Sequence, residues 1–237
     1  EEFVMHPSPE TERALATALG ALCRYLAMFG LGDIRDGEAL ARRARELNER
    51  VGNTQDLPTI AYFQSVITMM QGREHFERGL AQGEEAFTQA QRGPHLSTAM
   101  NVARGLCFSY IADGRLEQAT RTSDWLRQEV QRTGTPGQES DFHVAVLWLE
   151  SVVRYAADDL DGAFHVAKST YDLAVRRENR TVQGVTASTL AQICLLRGQA
   201  ADAQRWGDHG LEMAERIGNV AALIASSSVA LVARQMQ

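Results

Sequence analysis

The chain has 237 residues, and 44% hydrophobic against 23% charged residues is the composition of a folded globular protein. Every apolar run is broken by a charged or amide side chain well short of the ~18 residues of a membrane span, so no membrane association is expected. The net charge of −6 lacks the positive field with which nucleic-acid binders displace counterions, which argues against direct nucleic-acid binding.

Cys23, Cys107 and Cys194 are odd in number, 84 and 87 residues apart, and lack CxxC spacing, which speaks against a disulfide framework or a zinc site. The first ten residues carry neither a basic leader nor an apolar signal segment, which makes the cytoplasm the expected location. Few prolines and long uninterrupted stretches of good helix formers predict an almost entirely helical chain.

Ser8-Pro9-Glu10 offers an N-cap, a first-turn proline and an acid, opening a helix over about 9–29 that turns at Gly32 into another over 36–51. A second pair, 57–71 and 74–92, turns at Gly72. In the third, 96–112 and 115–133, apolar residues recur at helical spacing on both sides of Asp113-Gly114, the pattern of a helical hairpin. Thr135-Pro-Gly-Gln138 has capping-box spacing and opens a fourth pair, 138–157 and 160–178, turning at Asp158. The fifth, 181–197 and 200–217, turns at Gly198, and a lone helix over 220–235 is half a unit. Gly52, Gly93, Gly134 and Gly218 are expected as left-handed stops, with Asn179 or Arg180 replacing glycine once.

The hairpins therefore run over about 9–51, 57–92, 96–133, 138–178 and 181–217, followed by the terminal helix 220–235. Small residues opening each second helix, Ala39, Gly79, Ala119, Ala163 and Ala203, are spaced 40, 40, 44 and 40 residues apart. A hairpin cannot bury both helices by itself, so units must stack and share a core. The expected fold is all-α: a single repeat domain over residues 1–237, a right-handed superhelical α-solenoid of about five hairpins plus a final helix. The half unit at the end implies that the parent chain continues or closes with a cap.

Leu106-Cys107, Tyr110, Gly114, Leu116 and Ala119 resemble the tetratricopeptide repeat (TPR), with its large-small pair, tyrosine, turn glycine and alanine. The match is also good over 190–203 and weak elsewhere, with Arg154 and Cys194 replacing the tyrosine and Asp158 the glycine. The period of about 40 residues is longer than the usual ~34 and is similar to that of the sensor arms of large ATP-binding bacterial regulators of the LuxR type, including the maltose-operon activator. The resemblance implies a protein-interaction or ligand-sensing domain in transcription regulation or signalling.

No phosphate loop, nucleophile elbow or metalloprotease motif occurs, so no enzyme and no cofactor are expected. The six histidines are scattered, and no metal site is expected. Asp158-Asp159-Leu-Asp161 reads as a helix cap at a turn, in preference to a cation site. Arg42-Arg43-Ala-Arg45 and Arg176-Arg177 read as solvated faces near helix C-termini.

The TPR resemblance implies that first helices line a concave groove. Counting from the turns puts Tyr62 and Met69, then Asn101, Arg104 and Phe108, then Trp148 and Tyr155, and finally Gln192 on that stripe. Aromatic anchors with one cation and amides suit a protein or peptide segment, or a small-molecule effector. Arg104 and Trp148, at nearly equivalent positions 44 residues apart, are expected side by side. The alternative is an assembly scaffold that forms homo-oligomers or docks a partner through an outer face or its open C-terminal repeat.

Overall fold

Turn chemistry sets where each helix stops. The computed structural model describes residues 8–29, 34–133, 141–218 and 220–236. These form α1 (Pro9–Phe29), α2 (Ile34–Arg50), α3 (Leu57–Met70), α4 (Arg73–Arg92), α5 (Leu96–Ala112) and α6 (Leu116–Thr133). They continue with α7 (Asp141–Ala156), α8 (Leu160–Arg176), α9 (Arg180–Leu196), α10 (Ala200–Ile217) and α11 (Val220–Gln235). No strand occurs among the described residues. The expected turn at Gly32, the stop at Gly134, the capping box at 135–138 and His6 lie outside them.

The chain divides into two compact units, residues 1–109 and 110–237, and the division falls within α5. In the first unit α1 pairs with α2 and α3 with α4, while α1 and α2 both pack on α3. In the second, α7 pairs with α8 and α9 with α10. Each first helix also meets the next one, α7 on α9 and α9 on α11, and α6, α8 and α10 each pack on the first helix that follows. This regular pairing is how a repeat buries a face that one hairpin leaves open.

The heads at Gly114, Asp158 and Gly198 share one hydrogen-bond pattern, which the turn at Gly72 (φ 130°, ψ 171°) does not. Gly114 has φ 75°, its N–H donates to Ile111 O at 3.1 Å, and the Arg115 N–H reaches back to Tyr110 O at 2.8 Å. This pair of bonds satisfies the last carbonyls of α5 and requires a left-handed residue between them. Asp158 (φ 63°) and Gly198 (φ 72°) repeat it, with Asp159 N–H donating to Arg154 O and Gln199 N–H to Cys194 O.

Three local expectations need correction. Gly93 closes α4 with φ −76° and ψ 165°, an extended stop that makes no use of the left-handed region. After α8 the left-handed residue is Glu178 (φ 55°), whereas Asn179 caps α9 by accepting the Val182 N–H at 3.0 Å. Ala39 is exposed, and Gly37 and Ala41 hold the buried positions beside it. Gly37, not Ala39, faces α3: a Cβ on it would lie 3.1 Å from Ile67 Cδ1.

Elsewhere small residues set the helix separation. Ala119, Ala163 and Ala203 are fully buried, as are Cys107, Ser151 and Ala191 on first helices. Gly79 is the tightest of the phased positions: a Cβ there would lie 2.7 Å from Ser65 O and 2.8 Å from Met69 N, so α4 meets the backbone of α3 directly. None of the three cysteines forms a disulfide and all are buried, and burial pushes the thiols of Cys23 and Cys107 up to about 12.

Candidate functional site

The residues expected on one stripe fall in different environments. Tyr62, on α3, is 7% exposed. Its ring covers Gly105 so closely that a Cβ there would lie 2.3 Å from Tyr62 Cε1, and its hydroxyl shares a 3.3 Å hydrogen bond with Ser109. Burial holds the phenol well above its usual range, and the Ser109 bond offsets only part of that. Met69, 9% exposed, packs over Gly79. Both side chains are therefore internal packing in the first unit, not surface. The reason is that α3 is flanked by α4 through Gly79 and approached by α5 through Gly105, so its expected groove face is mostly covered.

Asn101, Arg104 and Phe108 share one face of α5 at i, i+3, i+7 spacing. Asn101 and Arg104 are half-buried, with Arg104 Nη2 donating to Asn101 Oδ1 at 3.4 Å, while Phe108 is 37% exposed. This is a planar cation beside an accessible ring, oriented by an amide.

In the second unit Trp148 is half-buried against Val144, Ala174 and Val182 and donates its Nε1–H to Thr189 Oγ1 at 3.1 Å, tying α7 to α9. Tyr155 lies partly buried against Ala163, Ala167, Leu190 and Ile193. Gln192 is half-buried on α9. Trp148 and Tyr155 thus use much of their apolar surface within the helix packing. Arg104 belongs to the first unit and Trp148 to the second.

The acidic turn behaves as a cap. Asp159 Oδ1 accepts the Gly162 N–H at 3.0 Å, and Arg154 bridges Asp159 and Glu150. The Gly162 N–H, and then Arg154, hold the Asp159 carboxyl below its usual range.

Sequence reading missed a polar cleft of about 550 Å³ in the first unit. Its walls are Glu38, Arg42 and Arg45 on α2 and Gln82, Glu85 and Gln89 on α4, and its floor is Ala61, Gln64 and Thr68 on α3. Arg45 Nη2 donates to Gln64 Oε1 at 2.7 Å, while its Nε–H is buried without a partner. Arg42 and Arg45, expected on a solvated face, line this cleft instead. The available signal was the recurrence of polar residues at i, i+4, i+7 on α2 and i, i+3, i+7 on α4, which says nothing by itself about the two faces meeting.

No family model and no curated protein matches the chain. Two crystal structures of the nearly identical TPR-like repeats of a kinesin light chain candidate from Podosopora anserina do match in fold. One aligns with a TM-score of 0.55 at 13% identity over 90% of this chain and 99% of that one. The other gives 0.53 at 13% identity over 87% and 98%. The chain has the TPR-like helical-repeat fold. In this TPR-like chain no helix is long and apolar enough to cross a membrane among the described residues.

Proposed function

We propose that this chain is a non-catalytic binding module, one TPR-like repeat domain over residues 1–237 that recognises a protein or peptide segment, or a small effector. In this reading it acts in the cytoplasm as the sensor arm of a bacterial transcriptional regulator or signalling protein. The observation that carries it is the α5 face, where Asn101 holds Arg104 beside the exposed ring of Phe108 on a fold whose other aromatics are largely used in packing. A charge with restricted rotamers next to an apolar anchor is the composition of a binding hot spot. Trp148, Tyr155 and Gln192 contribute through their accessible edges.

An assembly scaffold is the second reading, and Leu231 and Val232, exposed on α11, with Met236 just past its end, favour it as a contact for another copy or a partner.

The test is affinity capture on immobilised wild-type chain, followed by titration of each recovered partner or metabolite against Arg104→Ala, Phe108→Ala and Trp148→Ala. Loss of about tenfold or more in affinity with an unchanged melting temperature supports the binding-module reading. Unchanged affinity in all three, together with self-association that Leu231→Asp abolishes, supports the scaffold instead.

A further inference from the structure

Arginine needs a partner when it is partly enclosed, and Arg45 and Arg42 have no acidic one among the described residues. Gln64 Oε1 fixes the Arg45 guanidinium with a single bond and contributes no charge, and the buried Nε–H remains unmet. Arg42, one turn earlier on α2, points from the same wall and is exposed. The two acids of the cleft do not neutralise them. Glu38 accepts from Gln71 at 2.6 Å and Glu85 from Gln89 at 3.1 Å, so each is held by an amide.

The cleft therefore offers two unpaired cations on one wall and, across the short side chains of Ala61 and Thr68, the amides of Gln82 and Gln89 on the other. Gln64 lies two residues from Tyr62, a rotation of about 200° along the helix, so the cleft is on the opposite side of α3 from the expected groove stripe.

We propose that this cleft binds an extended peptide segment through one carboxylate side chain, seated on Arg42 and Arg45, with Gln64 and Gln82 hydrogen-bonding the peptide backbone. This rests on the reading of the chain as a binding module and places a binding site of that module away from the α5 face. Three features select the ligand. Carboxylate is the geometric complement of a guanidinium pre-oriented by another bond. Glutamine amides offer a donor and an acceptor together, matching a peptide N–H and C=O. Glu38 and Glu85, though not paired with the arginines, lower the net charge of the cleft, which disfavours phosphate-rich polyanions and tolerates an isolated carboxylate flanked by uncharged backbone. The volume, about 550 Å³, lies in the range of sites that enclose a small ligand or a few residues of chain.

The experiment is fluorescence anisotropy with a labelled octapeptide pool carrying one central Glu among random Ala, Ser and Leu, set against the same pool with Gln in its place. The Glu pool should bind the wild-type chain about tenfold more tightly or better, and the preference should vanish in Arg45→Gln and in Arg42→Gln. It should persist in Arg43→Gln, on the same helix but outside the cleft.

If Arg45→Gln lowers the melting temperature, Arg42→Gln decides, because Arg42 is exposed and holds nothing in place. Equal binding of the two pools, or a preference that survives both cleft variants, overturns the proposal. So does displacement by inorganic phosphate as effective as by unlabelled Glu peptide, which would mark a simple anion site. A cleft that fails while partner binding still depends on Arg104 and Phe108 removes only this inference. Failure of the α5 variants with an intact Glu preference removes only the α5 assignment.

Discussion

Replacing Gly79 with alanine tests whether helix separation in the first unit is set by backbone contact. Two opposing effects act on this position. Alanine is a better helix former than glycine by about 0.8–1 kcal/mol, which would stabilise α4 if nothing else changed. Against this, the new methyl would lie 2.6 Å from Met69 Cγ, 2.7 Å from Ser65 O and 2.8 Å from Met69 N. Met69 can rotate away, but Ser65 O and Met69 N are main-chain atoms of α3, so the helices must separate. Overpacking of this kind costs roughly 1–3 kcal/mol, and rigid neighbours place it in the upper part of that range. The net expectation is a loss of about 1–2 kcal/mol, or roughly 5–10 °C in the transition of a unit this size.

Urea unfolding followed by circular dichroism gives the free energy, and Gly79→Ala combined with Met69→Ala provides the control. Removing the flexible contact should leave the penalty in place, because the backbone contacts remain. A stabilised Gly79→Ala variant, or full rescue by Met69→Ala, would refute the backbone-contact account and mean that α3 and α4 are held apart by side chains alone.

Asp158 holds the left-handed conformation that Gly114 and Gly198 hold in the equivalent turns, so Asp158→Gly should raise stability by about 0.5–1 kcal/mol in the same urea assay. A loss of stability would mean that the Asp158 side chain contributes more than its backbone strain removes. Burial raises the Cys107 thiol from 9.0 to about 12, so deprotonation is easier in the unfolded chain, which then binds fewer protons than the native one. Stability should be constant below about pH 9 and fall as pH rises from there toward about 12, with a shallower fall in Cys107→Ala. Urea midpoints over that interval provide the measurement, and an identical slope in the variant would contradict the assignment.

The helices and most of their ends were legible because turns and caps are local. The glycine at 114, the caps offered by Ser8 and Asp159, and the repeated small residue at 119, 163 and 203 each act within a few residues of chain. Their spacing is enough to phase a hairpin. The same logic failed where the competing options are locally equivalent, as at Gly93, whose extended stop satisfies the end of α4 as well as a left-handed one, and at Glu178, where an acidic residue takes the conformation a glycine would favour.

Surface and interior were legible only where a helix has one buried face. On α3, with partners on several sides, Tyr62 and Val66 have the same sequence periodicity, yet the approach of α5 at Gly105 buries Tyr62 and leaves Val66 half-exposed. The meeting of Arg45 with Gln64 was beyond the sequence for the same reason. Helical spacing specifies which side chains share a face, whereas only packing between helices decides which faces confront one another and what space is left between them.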